Sequence, residues 1–314
     1  MRPARIAPPL LALLGVLLAG VATSQAHHNT EEMIREFTEQ IEAEGDKAAP
    51  ELYYRRATEY RVLREFGKAE ADLEKAIAIA PEFVAAHEDL GRVLQRRGDH
   101  TEALASLGRA IAVATTEREL AASLAVRAEI LAAAGRTKEA LADCERALET
   151  YRRGAVDWFL LRSDLQQQLG LEEERLGGLK SGHSRTRSVV LYNAWVEALI
   201  ETGHYDQAAP IIEEKVAAAR LKSSWLLRRA KLLQATGEAE AAKRDLLQAI
   251  GELNTRIKPE NPDITVVVDR GVAFSMLGDR SAAKRDLMMA KKAGADRWAT
   301  ARLERALGLE LEHN

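Results

Sequence analysis

The sequence has 314 residues, of which 46% are hydrophobic, 30% are charged and only 5% are aromatic. Few aromatic residues together with abundant Ala, Leu, Glu and Arg are typical of an all-helical protein. The formal net charge of −3 comes from 45 basic and 48 acidic residues, which excludes the basic excess of a nucleic-acid-binding protein. We therefore expect no nucleic acid among the partners.

The first 26 residues have the pattern of a secretory signal peptide. Arg2 and Arg5 precede the apolar run LLALLGVLLAGV over residues 10–21, and small residues stand at Ser24 and Ala26. This order predicts cleavage after Ala26. The alternative is an uncleaved anchor, but the apolar run is shorter than the roughly 20 residues that a membrane span needs. We therefore expect a periplasmic or extracellular protein that is not inserted in the membrane after cleavage.

His27 and His28 stand at the start of the mature chain if cleavage occurs there. A free terminal amine together with two imidazoles can bind copper. The other interpretation is a polar leader that remains after processing, and we favour it because no third histidine stands nearby. We expect no cofactor and keep the histidine pair as the alternative, a copper-binding site.

Residues 27–49 form a leader that includes an amphipathic helix. Met33, Ile34, Phe37 and Ile41 recur at helical spacing, so their side chains share one face. We expect this face to cover the apolar side of the helices that follow.

A pattern of two helices per segment begins near residue 50 and is clearest over residues 84–117. Gly91 in the first helix and Ala103 in the second are small, which allows the two helices to approach closely. Gly98 between them can adopt the left-handed conformation that ends a helix, and Asp99 can cap the next helix. The break glycines follow one another at intervals of 37, 35, 33, 34 and 41 residues, at Gly98, Gly135, Gly170, Gly203, Gly237 and Gly278.

This spacing of small residues resembles the tetratricopeptide repeat of about 34 residues. The resemblance covers residues 50–290 and implies an all-α, right-handed superhelical solenoid of antiparallel helix pairs, with about seven repeats plus capping helices. The repeats lie near residues 50–83, 84–117, 121–150, 156–180, 189–222, 223–256 and 264–293. A helix within residues 294–314 is expected to cap the apolar end of the last repeat, with Trp298, Leu303, Leu307 and Leu309.

Two segments interrupt the pattern. Arg175 stands where the other repeats place alanine, and residues 180–188 (KSGHSRTRS) follow it as a predicted polar linker, so we expect the weakest packing there. Residues 258–263 contain Pro259 and Pro262, which end any helix, and a final aspartate that can cap the next one. We interpret both segments as ordinary loops rather than binding loops.

No motif in the chain carries a recognisable chemistry. The sequence contains no phosphate-binding glycine loop, no His-Glu-x-x-His motif and no nucleophile elbow. Cys144 is the only cysteine, and it stands where other repeats place leucine, which predicts a buried structural thiol. We therefore do not expect an enzyme.

The first helices of stacked pairs line a concave face, whose side chains follow from the repeat register. This face is polar and mixed in charge, which suits an extended peptide or a partner's helix. We therefore expect a secreted or periplasmic, non-catalytic scaffold that binds an unidentified protein or peptide partner in this groove. The alternatives are the copper-binding protein and an accessory subunit of an envelope enzyme. The candidate groove residues are Arg61, Glu88, Arg92, Gln95, Glu129, Asp164, Gln167, Asn193, Glu197, Lys231 and Gln234.

Overall fold

The computed structural model describes residues 29–295 and 297–309. The predicted signal peptide, the His27-His28 pair and residues 310–314 lie outside these residues, as does the side chain of Trp298. Every regular element among the described residues is helical, which confirms the expected all-α fold. None of these helices combines the length and the apolar character that crossing a membrane would require.

Sixteen α-helices follow one another in the described part of the chain, and a short 3-10 turn over Gly45–Lys47 separates the first two. The helices from α2 to α15 form seven consecutive pairs between the single helices α1 and α16. The bounds are α1 29–44, α2 Pro50–Val62, α3 Phe66–Ile79, α4 Val84–Arg97, α5 His100–Val113, α6 Glu117–Ala133, α7 Thr137–Thr150, α8 Val156–Gln168, α9 Glu172–Thr186, α10 Val189–Glu201, α11 Tyr205–Ala218, α12 Ser223–Ala235, α13 Ala239–Arg256, α14 Ile264–Met276, α15 Arg280–Lys292 and α16 Arg297–Ala306.

The chain divides into two compact units, which we describe separately. Unit 1 ends at Tyr192 and unit 2 begins at Asn193, so the boundary lies within α10. In unit 1 the partners of the pairs α2–α3, α4–α5, α6–α7 and α8–α9 pack on each other, and each of α3, α5 and α7 also packs on the first helix of the next pair. In unit 2 the pairs α12–α13 and α14–α15 pack in the same way. Neighbouring pairs thus bury apolar faces that a single pair would leave exposed.

The break between the two helices of a pair is made by a left-handed residue. Glycine adopts this conformation freely, whereas it costs other residues roughly 1 kcal/mol. At the first break Arg64 takes it, with a φ of 60°. Asp99 does not cap α5 with its side chain, contrary to the prediction; its backbone N–H donates to the carbonyl oxygen of Leu94 at 2.9 Å. The predicted break glycines have φ angles between 70° and 93°, at Gly98, Gly135, Gly170, Gly203, Gly237 and Gly278.

Close contact between paired helices explains the small residues at their interface. A Cβ atom at Gly91 would lie 2.9 Å from Cγ of Leu107 and 3.2 Å from the carbonyl oxygen of Ala103, so a side chain there would push the helices apart. In the next pair Cys144 takes the place of the buried leucine, and its Sγ donates to the carbonyl oxygen of Trp158 at 3.1 Å. Burial raises the pKa of this thiol to about 12. The predicted structural role of Cys144 is confirmed.

The two single helices cover the ends of the array. Phe37 of α1 is buried, and Arg56 of α2 donates to the hydroxyl of Thr38 at 3.1 Å. Helix α16 packs on both α14 and α15 and buries Leu303, while Leu307 directly after it is equally buried. Leu309 is 39% exposed and does not belong to this cap, contrary to the prediction, because the helix has already ended.

Residues 180–188 are not the predicted linker. Helix α9 continues to Thr186, and Arg187 ends it with a left-handed φ of 58°. Arg185 is held within the helix by a hydrogen bond from its guanidinium to the carbonyl oxygen of Leu148 at 3.0 Å. The predicted linker is therefore wrong, whereas the weak packing expected at the fourth pair stays a prediction.

Arg175, the large residue of the fourth pair, is buried with polar partners at the interface between its helices. Arg175 is only 7% exposed, and its Nε donates to Oγ of Ser163 at 3.2 Å across the interface between α8 and α9. Its Nη1 lies 3.7 Å from the carboxylate of Glu172. A hydroxyl and a carboxylate therefore provide polar partners where other pairs pack alanine.

The second interruption is a loop, as predicted. Helix α13 ends at Arg256, and α14 begins at Ile264. Asp263 caps α14, because its Oδ1 accepts hydrogen bonds from the backbone N–H groups of Thr265 and Val266 at 2.9 and 3.3 Å.

Candidate functional site

The first helices α2, α4, α6 and α8 of unit 1 contact one another in sequence and present one continuous surface, which we call the first-helix face of unit 1. Its centre is Asp89, which is only 6% exposed. Arg92 donates to Oδ1 of Asp89 at 3.0 Å, and Nη2 of Arg61 lies 3.9 Å from its Oδ2. Burial, followed by the charge and hydrogen bond of Asp89, raises the pKa of Tyr54. The structure therefore brings the predicted residues Arg61 and Arg92 together around a carboxylate that the sequence reading missed.

Two carboxylates continue this face from α4 to α6. Glu88 accepts a hydrogen bond of 2.6 Å from the hydroxyl of Ser123, which ties the second pair to the third. Burial raises the pKa of Glu88, although that hydrogen bond opposes the rise. Burial also raises the pKa of Glu129, and the charge of Arg92 opposes this rise.

The other predicted residues of unit 1 lie further along the same helices. Gln95 is half-buried near the end of α4, whereas Asp164 and Gln167 are exposed on α8. Between them Gln166 is 3% exposed, and its Oε1 has no hydrogen-bond partner among the described residues. Neither predicted α8 residue is part of the cluster around Asp89.

A hollow of about 520 Å³ opens beside this face, between the starts of α4 and α6. Its wall is mixed, because apolar side chains alternate with carboxylates and hydroxyls. Such a surface can take an apolar side chain of a ligand while polar groups hold the adjacent backbone. The lining includes Phe83, Val84, Glu88, Thr116, Glu119 and Ala122.

In unit 2 the predicted residues form an internally paired charge network. Nζ of Lys231 lies 3.1 Å from Glu197 and 2.8 Å from Glu201, and Nε of Arg228 lies 3.1 Å from the other oxygen of Glu197. Arg228 is 8% exposed and lies over the ring of Trp225 at 5.0 Å, and burial lowers the pKa of its guanidinium. Cations and carboxylates largely neutralise each other on this face.

Two of the predicted residues in unit 2 have polar groups that are bonded to, or buried by, other parts of the protein. Nε2 of Gln234 donates to the carbonyl oxygen of Met276 at 3.1 Å, which joins α12 to the end of α14. Oδ1 of Asn193 is buried and has no hydrogen-bond partner among the described residues. Nearby on the capping helix, Arg302 pairs with Asp269 of α14.

A second feature that sequence reading missed is a repeated ion pair inside the helix pairs. In four pairs an arginine of the first helix makes two hydrogen bonds, of 2.5 to 2.9 Å, to an aspartate sixteen residues later in the second helix. The signal was present in the sequence, because each arginine precedes the small interface residue and each aspartate precedes the buried leucine or cysteine. These pairs are Arg56–Asp72, Arg127–Asp143, Arg229–Asp245 and Arg270–Asp286.

The described side chains do not assemble a recognisable reactive centre. Over residues 29–295 and 297–309, no three histidine, cysteine or carboxylate groups are placed as a metal ion would need them. The two first-helix faces instead present long polar surfaces with fixed charges. This arrangement can recognise an extended polar ligand.

Two family models of the tetratricopeptide repeat match the chain, one over residues 50–83 and one over residues 82–153. No curated protein matches it. These matches cover the first three helix pairs, α2–α3, α4–α5 and α6–α7.

Solved structures of similar fold include a tetratricopeptide repeat protein from Parabacteroides merdae ATCC 43184. It is 19% identical, with a TM-score of 0.54 and coverage of 82% of this chain and 98% of that chain. YrrB, described as a TPR protein with an unusual peptide-binding site, is 14% identical over 86% of this chain and 97% of its own, with a TM-score of 0.40. At such identities the likeness concerns the fold, and only the first structure bears on it.

Proposed function

Because this chain is a tetratricopeptide repeat protein, we propose that it is a non-catalytic scaffold that binds a protein or peptide partner along the first-helix face of unit 1. The observation that carries this proposal is the charge cluster around Asp89, in which Arg61 and Arg92 each approach one carboxylate oxygen and Glu88 lies close by in α4. The mixed-wall hollow beside it supplies an apolar contact point.

The charges on this face favour a ligand segment of alternating sign. Arg61 and Arg92 attract acidic side chains, whereas Glu88 and Glu129 attract basic ones. A uniformly charged segment would be repelled by half of the face. Such contacts determine register and association rate more than affinity, and exposed ion pairs contribute roughly 0–1 kcal/mol each.

Reversing the charge of Arg92 tests whether the partner binds to the first-helix face of unit 1. We expect Arg92→Glu to reduce capture of the partner from native extract about fivefold, since it removes one attraction and adds a repulsion, together about 1 kcal/mol. Quantitative mass spectrometry of proteins retained at low and at physiological salt measures the effect. Arg109→Glu is the matched control, because Arg109 is exposed on the second helix α5. Equal loss in the two variants would show that the first-helix face is not the binding site.

We propose further that the protein acts in the periplasm or outside the cell. Support comes from the order of charged, apolar and small residues over residues 1–26. Intact mass of the exported protein is expected to correspond to a chain that begins at His27. A mass that includes Met1, found in the membrane fraction, would contradict cleavage and favour the anchor.

A further inference from the structure

The fourth helix pair, α8–α9, has the arginine of the repeated ion pair but lacks its aspartate. Arg162 stands one residue before the small residue Ser163, as Arg56, Arg127, Arg229 and Arg270 stand before theirs. The position sixteen residues later holds Gly178, where the four complete pairs hold aspartate. The pair α8–α9 therefore has the cation without the carboxylate that receives it elsewhere.

The guanidinium of Arg162 occupies the place of the missing side chain. A Cβ atom at Gly178 would lie 2.6 Å from Nη2 of Arg162 and 3.0 Å from its Cζ. Nε of Arg162 is buried and has no hydrogen-bond partner among the described residues. Burial lowers the pKa of this guanidinium, although the charge of Glu145 opposes the shift. Arg162 is half-buried, and a guanidinium with an unsatisfied Nε in such a place is stabilised by an adjacent anion.

A pocket of about 360 Å³ opens onto this guanidinium between α7, α8 and α9. Arg162 and Arg185 both lie over the ring of Phe159, at 5.4 and 5.0 Å. Because Arg185 already donates to backbone carbonyl oxygens, it is held in a fixed position at the pocket. The lining consists of Glu145, Leu148, Glu149, Arg152, Arg162 and Arg185.

The charge balance of the lining indicates which anion fits. Three arginines face two exposed glutamates, Glu145 and Glu149, so the pocket has one net positive charge. A single carboxylate neutralises that charge, whereas a dianion such as phosphate would meet repulsion from both glutamates. Carboxylate oxygens also match the paired N–H groups of a guanidinium, as the four complete pairs demonstrate.

We propose that the pocket between α7, α8 and α9 binds a carboxylate, which gives the guanidinium of Arg162 the anionic partner that aspartate gives the arginines of the complete pairs. The carboxylate belongs either to a small organic acid or to an acidic side chain of a peptide. Arg185 and Arg152 supply further positive charge at the pocket. This site is separate from the Asp89 cluster and does not depend on the function proposed for it.

The test restores the missing carboxylate within the chain. Gly178→Asp is expected to recreate the complete pair and to weaken binding of the monocarboxylate propionate at least tenfold, because the new side chain competes for Arg162. The flexible end of Arg162 can move aside to accept it. Gly177→Asp is the matched control: it adds the same charge one residue earlier in α9, where a Cβ atom would meet nothing within 4 Å. This control is expected to bind propionate within about twofold of the wild type.

Arg162→Gln is a second variant that is expected to lose binding, and this loss does not depend on introducing an aspartate. Binding is measured by isothermal titration with propionate, with neutral propionamide, with inorganic phosphate and with the peptide acetyl-Gly-Asp-Gly-amide. Propionate or the peptide should bind and propionamide should not, and the tighter of the two acids identifies the source of the carboxylate. Binding of phosphate alone, no binding of either acid, or unchanged binding in Gly178→Asp or Arg162→Gln would overturn the proposal.

Discussion

Replacing Asp286 with alanine is expected to lower the free energy of unfolding of unit 2 by about 3 kcal/mol. The side chain of Asp286 is 3% exposed, and its two oxygens accept hydrogen bonds of 2.5 and 2.9 Å from Arg270. Alanine leaves this guanidinium largely buried with one remaining partner, the side-chain oxygen of Asn254 at 2.8 Å. Desolvation of the stranded cation, rather than the lost attraction, causes most of the effect.

Urea unfolding followed by circular dichroism measures this change. Asp206→Ala is the control, because Asp206 is an exposed aspartate in the same unit, and it is expected to cost less than about 1 kcal/mol. The double variant Arg270→Leu/Asp286→Leu is expected to regain most of the stability, since it buries no uncompensated charge. Equal effects of Asp286→Ala and Asp206→Ala would show that the repeated ion pair does not stabilise the helix pair.

Replacing Phe159 with alanine is expected to lower the free energy of unfolding of unit 1 by about 3–5 kcal/mol. Phe159 is 1% exposed and is the largest fully buried side chain among the residues that the structure describes. Two glycines leave room for its ring: Cβ atoms at Gly182 and Gly154 would lie 2.7 and 3.0 Å from it. Alanine removes the buried ring, and the lost apolar contacts together with the cavity left behind cause the loss of stability.

Amide hydrogen exchange shows where Phe159→Ala lowers stability, because a solenoid can open locally at a weakened interface. Protection is expected to fall first in α8 and α9. Phe159→Leu keeps most of the apolar volume and should lose less than half as much stability, and Phe83→Ala, at a half-buried phenylalanine of the same unit, should also lose less. A loss below about 1 kcal/mol for Phe159→Ala would instead support the weak fourth pair that the sequence pattern suggested.

Sequence alone determined the helix pairs, because their signals are local. A break glycine such as Gly98 has to adopt a positive φ that depends on its own backbone, and small residues such as Gly91 reveal a close helix contact through their size. The position of Cys144 within the repeat sufficed to predict its burial. The Asp263 cap was equally readable, since a cap bonds to residues two and three positions away.

Which charged side chains are buried, and what they pair with, depends on contacts between helices that are distant in the sequence. Asp89 was overlooked as one more acid in a polar helix, yet packing buries it between Arg61 and Arg92 from two different helices. The polar segment around Arg185 was expected to be a loop and is helical, because that arginine bonds to α7, more than thirty residues earlier. The position of Arg162 has the same cause: only when α9 is placed against α8 does Gly178, and not a carboxylate, face its guanidinium. Contacts between distant helices determine where a charge is buried and what compensates it, and local spacing does not encode them.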